Sequence, residues 1–200
     1  MVDAQLRPEG VSFPPIVEAM ASVKREDFVA DEARQLAYID RAVPMGDGRL
    51  MSAPAVLGKL LNEMMPLAGE RALVIGCGSG YSAAVLKAIG VGVVGVESSA
   101  ELAGRARKAG IEVVEGPLEE GLKANAPFDL VLIDGAVEHI PEAIIMQLAD
   151  HGRVGTALID RGVSRLAVGR RAGNGFGLHT MADAGAAPLP GFAKPVPFTF

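Results

Sequence analysis

The stretch Arg71-Ala-Leu-Val-Ile-Gly-Cys-Gly-Ser-Gly-Tyr-Ser-Ala-Ala-Val-Leu86 constrains this chain more than any other. An apolar run of strand character leads at once into Gly76, Gly78 and Gly80, and then into apolar residues at helical spacing. A buried strand entering a helix through a glycine turn is the opening unit of a Rossmann-like α/β sheet. Gly76 lets the chain leave the strand without a Cβ clash, Gly78 allows close backbone approach to a ligand, and Gly80 allows the helix to pack tightly. The spacing is G-x-G-x-G. A dinucleotide fingerprint, G-x-G-x-x-G, would need glycine where Tyr81 stands.

A second apolar run, Gly92-Val-Val-Gly-Val96, ends in Glu97. An acid at the end of the second strand, roughly 20 residues past the glycine loop, is placed to hold a ribose diol. The helix starting near Tyr81 offers free N–H groups and a positive dipole end, which suit an anionic group such as a methionyl carboxylate. Loop and acid together predict S-adenosyl-L-methionine (SAM) as ligand, with S-adenosyl-L-homocysteine as product. The candidate binding residues here are Gly76, Cys77, Gly78, Ser79, Gly80, Tyr81, Glu97 and Ser98. Cys77 reads as a small buried residue filling the loop.

The pattern along the chain predicts one domain over residues 1–200. A helical N-terminal segment, 1–65, has helices at Pro14–Ser22, Arg25–Val29, Glu32–Tyr38 and Pro54–Met64. Residues 66–200 carry the SAM-binding sheet. Strands are expected at Ala72–Ile75, Gly92–Val96, Glu112–Glu115, Leu130–Ile133 and Gly152–Ile159. Helices are expected at Ser82–Ile89, Ala100–Ala109, Leu118–Lys123 and Glu142–Leu148. Such alternation predicts a doubly wound, mostly parallel sheet. Arg165–Arg171 and Phe176–Met181 around Ala172-Gly-Asn-Gly175 predict an antiparallel C-terminal hairpin, with Phe198-Thr-Phe200 as a last edge strand. Ligands of such sheets bind beyond the carboxyl ends of the strands, which adds Gly116, Pro117, Leu118, Asp134 and Asp160 to the candidates.

Composition narrows the classes. Half of the 200 residues are apolar, enough for a sizeable core filled mainly by aliphatic side chains. A formal charge of −5 argues against a sequence-independent nucleic-acid grip. The single cysteine, Cys77, excludes an internal disulfide and is compatible with a reducing cytoplasm. The polar opening segment lacks a signal-peptide core, and no apolar run approaches membrane-spanning length. These features predict a cytoplasmic protein without nucleic-acid or membrane partners; the oligomeric state is not readable.

Five segments, the glycine loop among them, carry a family resemblance: Val23-Lys-Arg-Glu-Asp-Phe-Val29, Ala37-Tyr-Ile-Asp40, Met51-Ser-Ala-Pro54, Ile75–Tyr81, and Ile140-Pro141 followed by Gln147-Leu148. In order and spacing the chain resembles the protein-L-isoaspartate O-methyltransferases over nearly its whole length. The resemblance implies a SAM-binding sheet joined to an N-terminal segment that helps enclose a peptide. It also implies methylation of the carboxylate at isoaspartyl sites in damaged proteins or peptides. It places Ser52 at the catalytic centre; from the residues alone, Ser52 before Pro54 reads equally as a helix N-cap. An ionised carboxylate acceptor, with a pKa near ~4, needs no general base. His139, His151 and His179 are accordingly expected at surface or loop positions.

The chain departs from that family's pattern at three places. Val74 stands where an acid is usual two residues before the first glycine. Gly116-Pro117 stands where Gly-Asp is usual, and Asp134-Gly-Ala replaces small or hydroxyl residues. Losing one hydrogen bond to the ligand would cost roughly 0.5–1.5 kcal/mol. Two alternatives follow: a weak or inactive relative acting as a binding or regulatory module, or an O-methyltransferase with another small-molecule substrate. Asp134 and Asp160 could suit a divalent cation, but Arg161 beside the second acid opposes it, and no metal is expected.

Overall fold

The computed structural model describes residues 1–194; the expected edge strand at 198–200 lies outside them. The N-terminal part contains α1 (Pro14–Ser22), β1 (Val43–Gly46), β2 (Arg49–Met51) and α2 (Pro54–Met64). Proline at the start of both helices presets the backbone where no N–H partner is needed. The expectation of a wholly helical segment fails at β1 and β2, which form an antiparallel hairpin of their own. Its two-residue turn has Asp47 at φ 48° and Gly48 at φ 68°, the doubly left-handed geometry that matches strand twist. The helices expected at Arg25–Val29 and Glu32–Tyr38 are single 3-10 stretches, Arg25–Asp27 and Asp31–Leu36.

Beyond α2 the alternation is as expected: β3 (Arg71–Ile75), α3 (Tyr81–Ile89), β4 (Gly92–Glu97), α4 (Ala100–Lys108) and β5 (Glu112–Glu115). Then come β6 (Phe128–Val137), α5 (Glu142–Ile145), β7 (Leu148–Asp160), β8 (Val163–Ala172) and β9 (Gly175–Asp183). One seven-stranded sheet has the order β5-β4-β3-β6-β7-β8-β9, parallel from β5 to β7 and antiparallel from β7 to β9. The Ala172↔Gly175 pair closes the predicted C-terminal hairpin. Several boundaries differ from expectation: β6 runs on past Ile133 through Asp134 to Val137, β7 begins four residues early at Leu148, and two helices are altered. The helix expected over Glu142–Leu148 stops at Ile145 because Leu148 already pairs with Phe128 as β7. The one expected over Leu118–Lys123 is split into 3-10 turns at Leu118–Glu120 and Lys123–Asn125.

Strand β3 shows why the sheet forms. Ala72 and Val74 face one core cluster, and Leu73 and Ile75 face another on the opposite side, so the strand is apolar from Ala72 to Ile75. On α2, Leu57, Leu60, Leu61 and Met64 form the buried stripe, and the helix packs on β7 and β8. Its C-terminal carbonyls, which have no partners within the helix, are taken by Arg153 of β7. That guanidinium donates to Met64 O and, at 2.9 Å, to Met65 O. Glu70 neutralises it through two bonds of 2.8 and 2.7 Å. This clamp fixes α2, and therefore the Ser52-Ala53 entrance to it, on the sheet.

Candidate functional site

The three loop glycines all have left-handed backbones, φ 67°, 55° and 100° for Gly76, Gly78 and Gly80. The loop is tied to β4 by the N–H of Gly76 on Val96 O at 2.8 Å. A Cβ on Gly80 would lie 3.1 Å from Ala106 Cβ and 3.3 Å from Ala106 Cα, so this glycine admits α4 and not only the sheet. The other two cradles are filled by side chains of the chain itself. Met45 Sδ lies 2.8 Å from where a Gly78 Cβ would be; Arg49 Nη2 and both Leu189 methyls lie 3.1 Å from the Gly76 position.

Glu97 ends β4 with no exposed surface. Its Oε2 accepts from the N–H of Gly78 at 2.7 Å. Its Oε1 accepts from the N–H groups of Ser98 and Ser99 at 2.9 and 3.1 Å. Arg49 Nη1 completes this set at 2.9 Å, forming an ion pair in which Arg49 is only 12% exposed. Arg49 also donates to Gly76 O at 3.2 Å, bridging acid and loop. Loop and acid are therefore joined at the carboxyl end of the sheet, and β2 supplies the buried acid with a counterion.

The remaining predicted residues divide. Cys77 is buried with its sulfur against Gly95, and burial followed by the nearby Glu97 charge pushes its thiol up to about 12. Ser79 is turned towards the N-terminal segment, its hydroxyl donating to Phe28 O. Tyr81 meets Phe28 edge-on at 5.6 Å, and burial raises its phenol despite the Arg25 guanidinium 5.0 Å from the ring centroid. Gly116 and Pro117 follow β5, where Pro117 is exposed, whereas Leu118 is buried in the core beside Ile144 and Phe192. Val74, at the place of the missing acid, is wholly buried in the sheet core.

Ser52 and Asp134 line one small cavity with Leu57, Leu60, Ala157 and Leu166, with room for about one water. The cap reading of Ser52 is corrected: the N-cap of α2 is Ala53, and Asp40 Oδ1 accepts from Ala55 N–H at 3.4 Å. Ser52 instead gives its carbonyl oxygen to Arg25 Nη2, while Arg25 Nε holds Ala37 O at 2.6 Å. Arg25 is fully buried and its Nη1 has no hydrogen-bond partner among the described residues, as is true of the Tyr81 hydroxyl and Ser82 Oγ. Burial raises the Asp134 carboxyl above its ordinary value, and the Ser82 hydroxyl, Arg49 and Arg25 only partly oppose this. Asp160 lies apart, exposed at the end of β7. His151 and His179 are exposed, the latter 3.2 Å from Glu63; His139 is half-buried.

Arg25 and Arg49 are the charged residues of this region that were missed. Arg25 sits within the segment Val23–Val29 that carries the resemblance. The only hint of Arg49 was Gly46-Asp-Gly48, a hairpin turn signal immediately before it.

Comparison with known proteins covers most of the chain. The family model for protein-L-isoaspartate(D-aspartate) O-methyltransferase matches residues 2–176. A protein-L-isoaspartate O-methyltransferase of Gloeobacter violaceus is 39% identical over 161 residues, covering 77% of this chain and 78% of the relative. Its namesake in Koribacter versatilis is 36% identical over 161 residues, covering 77% and 72%. Among solved structures, a protein-L-isoaspartate O-methyltransferase superposes with TM-score 0.81 at 22% identity, over 92% of this chain and 63% of its own. A Plasmodium falciparum protein assigned as a β-aspartate methyltransferase, solved with S-adenosyl-L-homocysteine, gives 0.78 at 19% identity, over 92% and 94%. Among the described residues no helix is long and apolar enough to cross a membrane.

Proposed function

Because the chain belongs to the protein-L-isoaspartate(D-aspartate) O-methyltransferase family, we propose that it transfers the methyl group of SAM to the isoaspartyl carboxylate of a damaged protein or peptide. The observation that carries this reading is the buried Glu97 joined to the N–H of Gly78, acid and glycine loop forming one unit at the carboxyl end of the sheet. Gly76, Gly78 and Glu97 would hold the donor. Bound there, SAM supplies an electrophilic sulfonium methyl.

The chain's own task is then alignment and shielding, because an ionised carboxylate carries no proton to remove. Ser52 stands at the acceptor side, held by its carbonyl on Arg25. Arg25 supplies a buried cation there, and its Nη1, with both N–H groups unpartnered among the described residues, is suited to an anionic acceptor. Asp134, its carboxyl raised by burial, adds less negative charge beside that acceptor than an ordinary aspartate would. Leu36, Tyr38 and Ile39 in the N-terminal segment expose apolar surface suited to a peptide chain. Incubation with methyl-labelled SAM and a matched pair of isoaspartyl and aspartyl peptides tests the proposal. Label in the isoaspartyl peptide alone supports it; label in neither overturns it.

A further inference from the structure

We infer that Arg49 is an internal competitor for the donor site: its guanidinium occupies the carboxylate that a ribose diol needs, and the donor binds only as Arg49 releases Glu97. The inference rests on the donor reading above. A carboxylate offers about four lone-pair directions. On Glu97 they are unevenly used: Oε1 accepts from the N–H groups of Ser98 and Ser99 and from Arg49 Nη1, with Ser98 Oγ a longer contact at 3.4 Å, whereas Oε2 accepts from the N–H of Gly78. Arg49 therefore blocks the Oε1 side that a diol bridging both oxygens needs. The three backbone donors are fixed by the strand end and the glycine loop. Arg49 is the strong donor that a side-chain movement can remove.

The same hairpin reaches the loop at two further points, beside Leu189 at Gly76. Arg49 Nη2 lies against Gly76, and Met45 occupies the notch at Gly78. β1 and β2 pair with each other and not with the seven-stranded sheet. Their ties to the body include Ala30 N–H on Pro44 O at 2.9 Å and Arg105 on Met45 O. One element therefore carries Arg49 and Met45 and can withdraw them together, leaving Leu189 at Gly76 in place. It also leads from Met51 directly into Ser52, so opening the donor side alters the acceptor side. No sheet hydrogen bond of the main fold need break.

The test is calorimetric titration of S-adenosyl-L-homocysteine into the full chain and into Arg49→Gln and Arg49→Lys, with helical circular dichroism recorded for each. Glutamine keeps a side chain able to donate but removes the charge. It is expected to tighten binding about tenfold, the loss of a competing, largely desolvated ion pair. Lysine keeps a charge for Glu97 but loses the planar fork, and is expected to tighten binding about threefold. Should glutamine disturb folding, the lysine variant decides alone. Wild-type binding that the variants leave unchanged or weaken overturns the competitor role and leaves the donor reading intact. Absence of binding by all three folded proteins at millimolar ligand overturns the donor reading and the competitor role with it.

Discussion

The N–H of Gly78 donates to Oε2 of Glu97 at 2.7 Å, fastening the glycine loop to the end of the second sheet strand. The relationship makes loop and acid one structural unit, and it defines what loss of the acid should do. In Glu97→Gln the amide must turn its NH₂ towards at least one of the donors that now converge on the carboxylate. The variant also leaves Arg49, 12% exposed, without its partner. The expected cost is about 2–4 kcal/mol in urea unfolding, together with loss of S-adenosyl-L-homocysteine binding. A variant as stable as wild type would contradict this account of the loop.

Arg153 is expected to be the most costly polar side chain of the sheet to remove. Arg153→Met leaves the carbonyls at the end of α2 without their donors and strands Glu70, whose carboxyl is half-buried. Burial pushes that carboxyl up, but the bonds from Arg153 and the N–H of Leu67 more than offset it, so it is held below its ordinary value. Denaturant unfolding should show a loss of about 3–5 kcal/mol. A loss below about 1 kcal/mol would mean that solvent replaces the clamp.

Local signals made the sheet legible. The run from Arg71 through the glycines to Leu86, and the one from Gly92 to Glu97, each combine period and turn chemistry within a few residues, and both lie where expected. What the sequence concealed depends on distant partners. Arg49 finds Glu97 across 48 positions, and Arg153 finds Met65 across 88. Leu148 joins the sheet because Phe128 pairs with it, although the preceding residues have helical spacing. The β1–β2 turn was readable at Asp47-Gly48, but strands this short carry too little alternation to stand out beside neighbouring helices.

Cys77 should be inert in the native protein. Burial first, and the Glu97 charge second, push its thiol up to about 12, so at pH 8 almost none is thiolate. A chromogenic disulfide reagent at pH 8 is expected to react at the rate of global unfolding, and at once in denaturant. Rapid stoichiometric labelling of folded protein would show that the glycine loop opens on its own.

Asp134 makes stability depend on pH in a defined direction. Burial raises its folded-state pKa, with the Ser82 hydroxyl, Arg49 and Arg25 opposing. Its favourable contribution is therefore fully present below the unfolded value of about 3.9 and is lost as pH rises through the raised value. Asparagine does not titrate. Asp134→Asn should thus gain stability relative to wild type between pH 4 and pH 7, measured by urea unfolding at both. A difference that is the same at the two pH values would contradict the burial of this carboxyl.

The central claim is that the methyl acceptor is an isoaspartyl carboxylate, and the chemistry of the product tests it most directly. Peptide labelled by the full chain with methyl-labelled SAM is exposed to mild alkali and the volatile fraction counted. A methyl ester should release its label as methanol, from the isoaspartyl peptide and not from its aspartyl counterpart. Label that stays on the peptide through alkali, or that is equal in both peptides, would contradict the account.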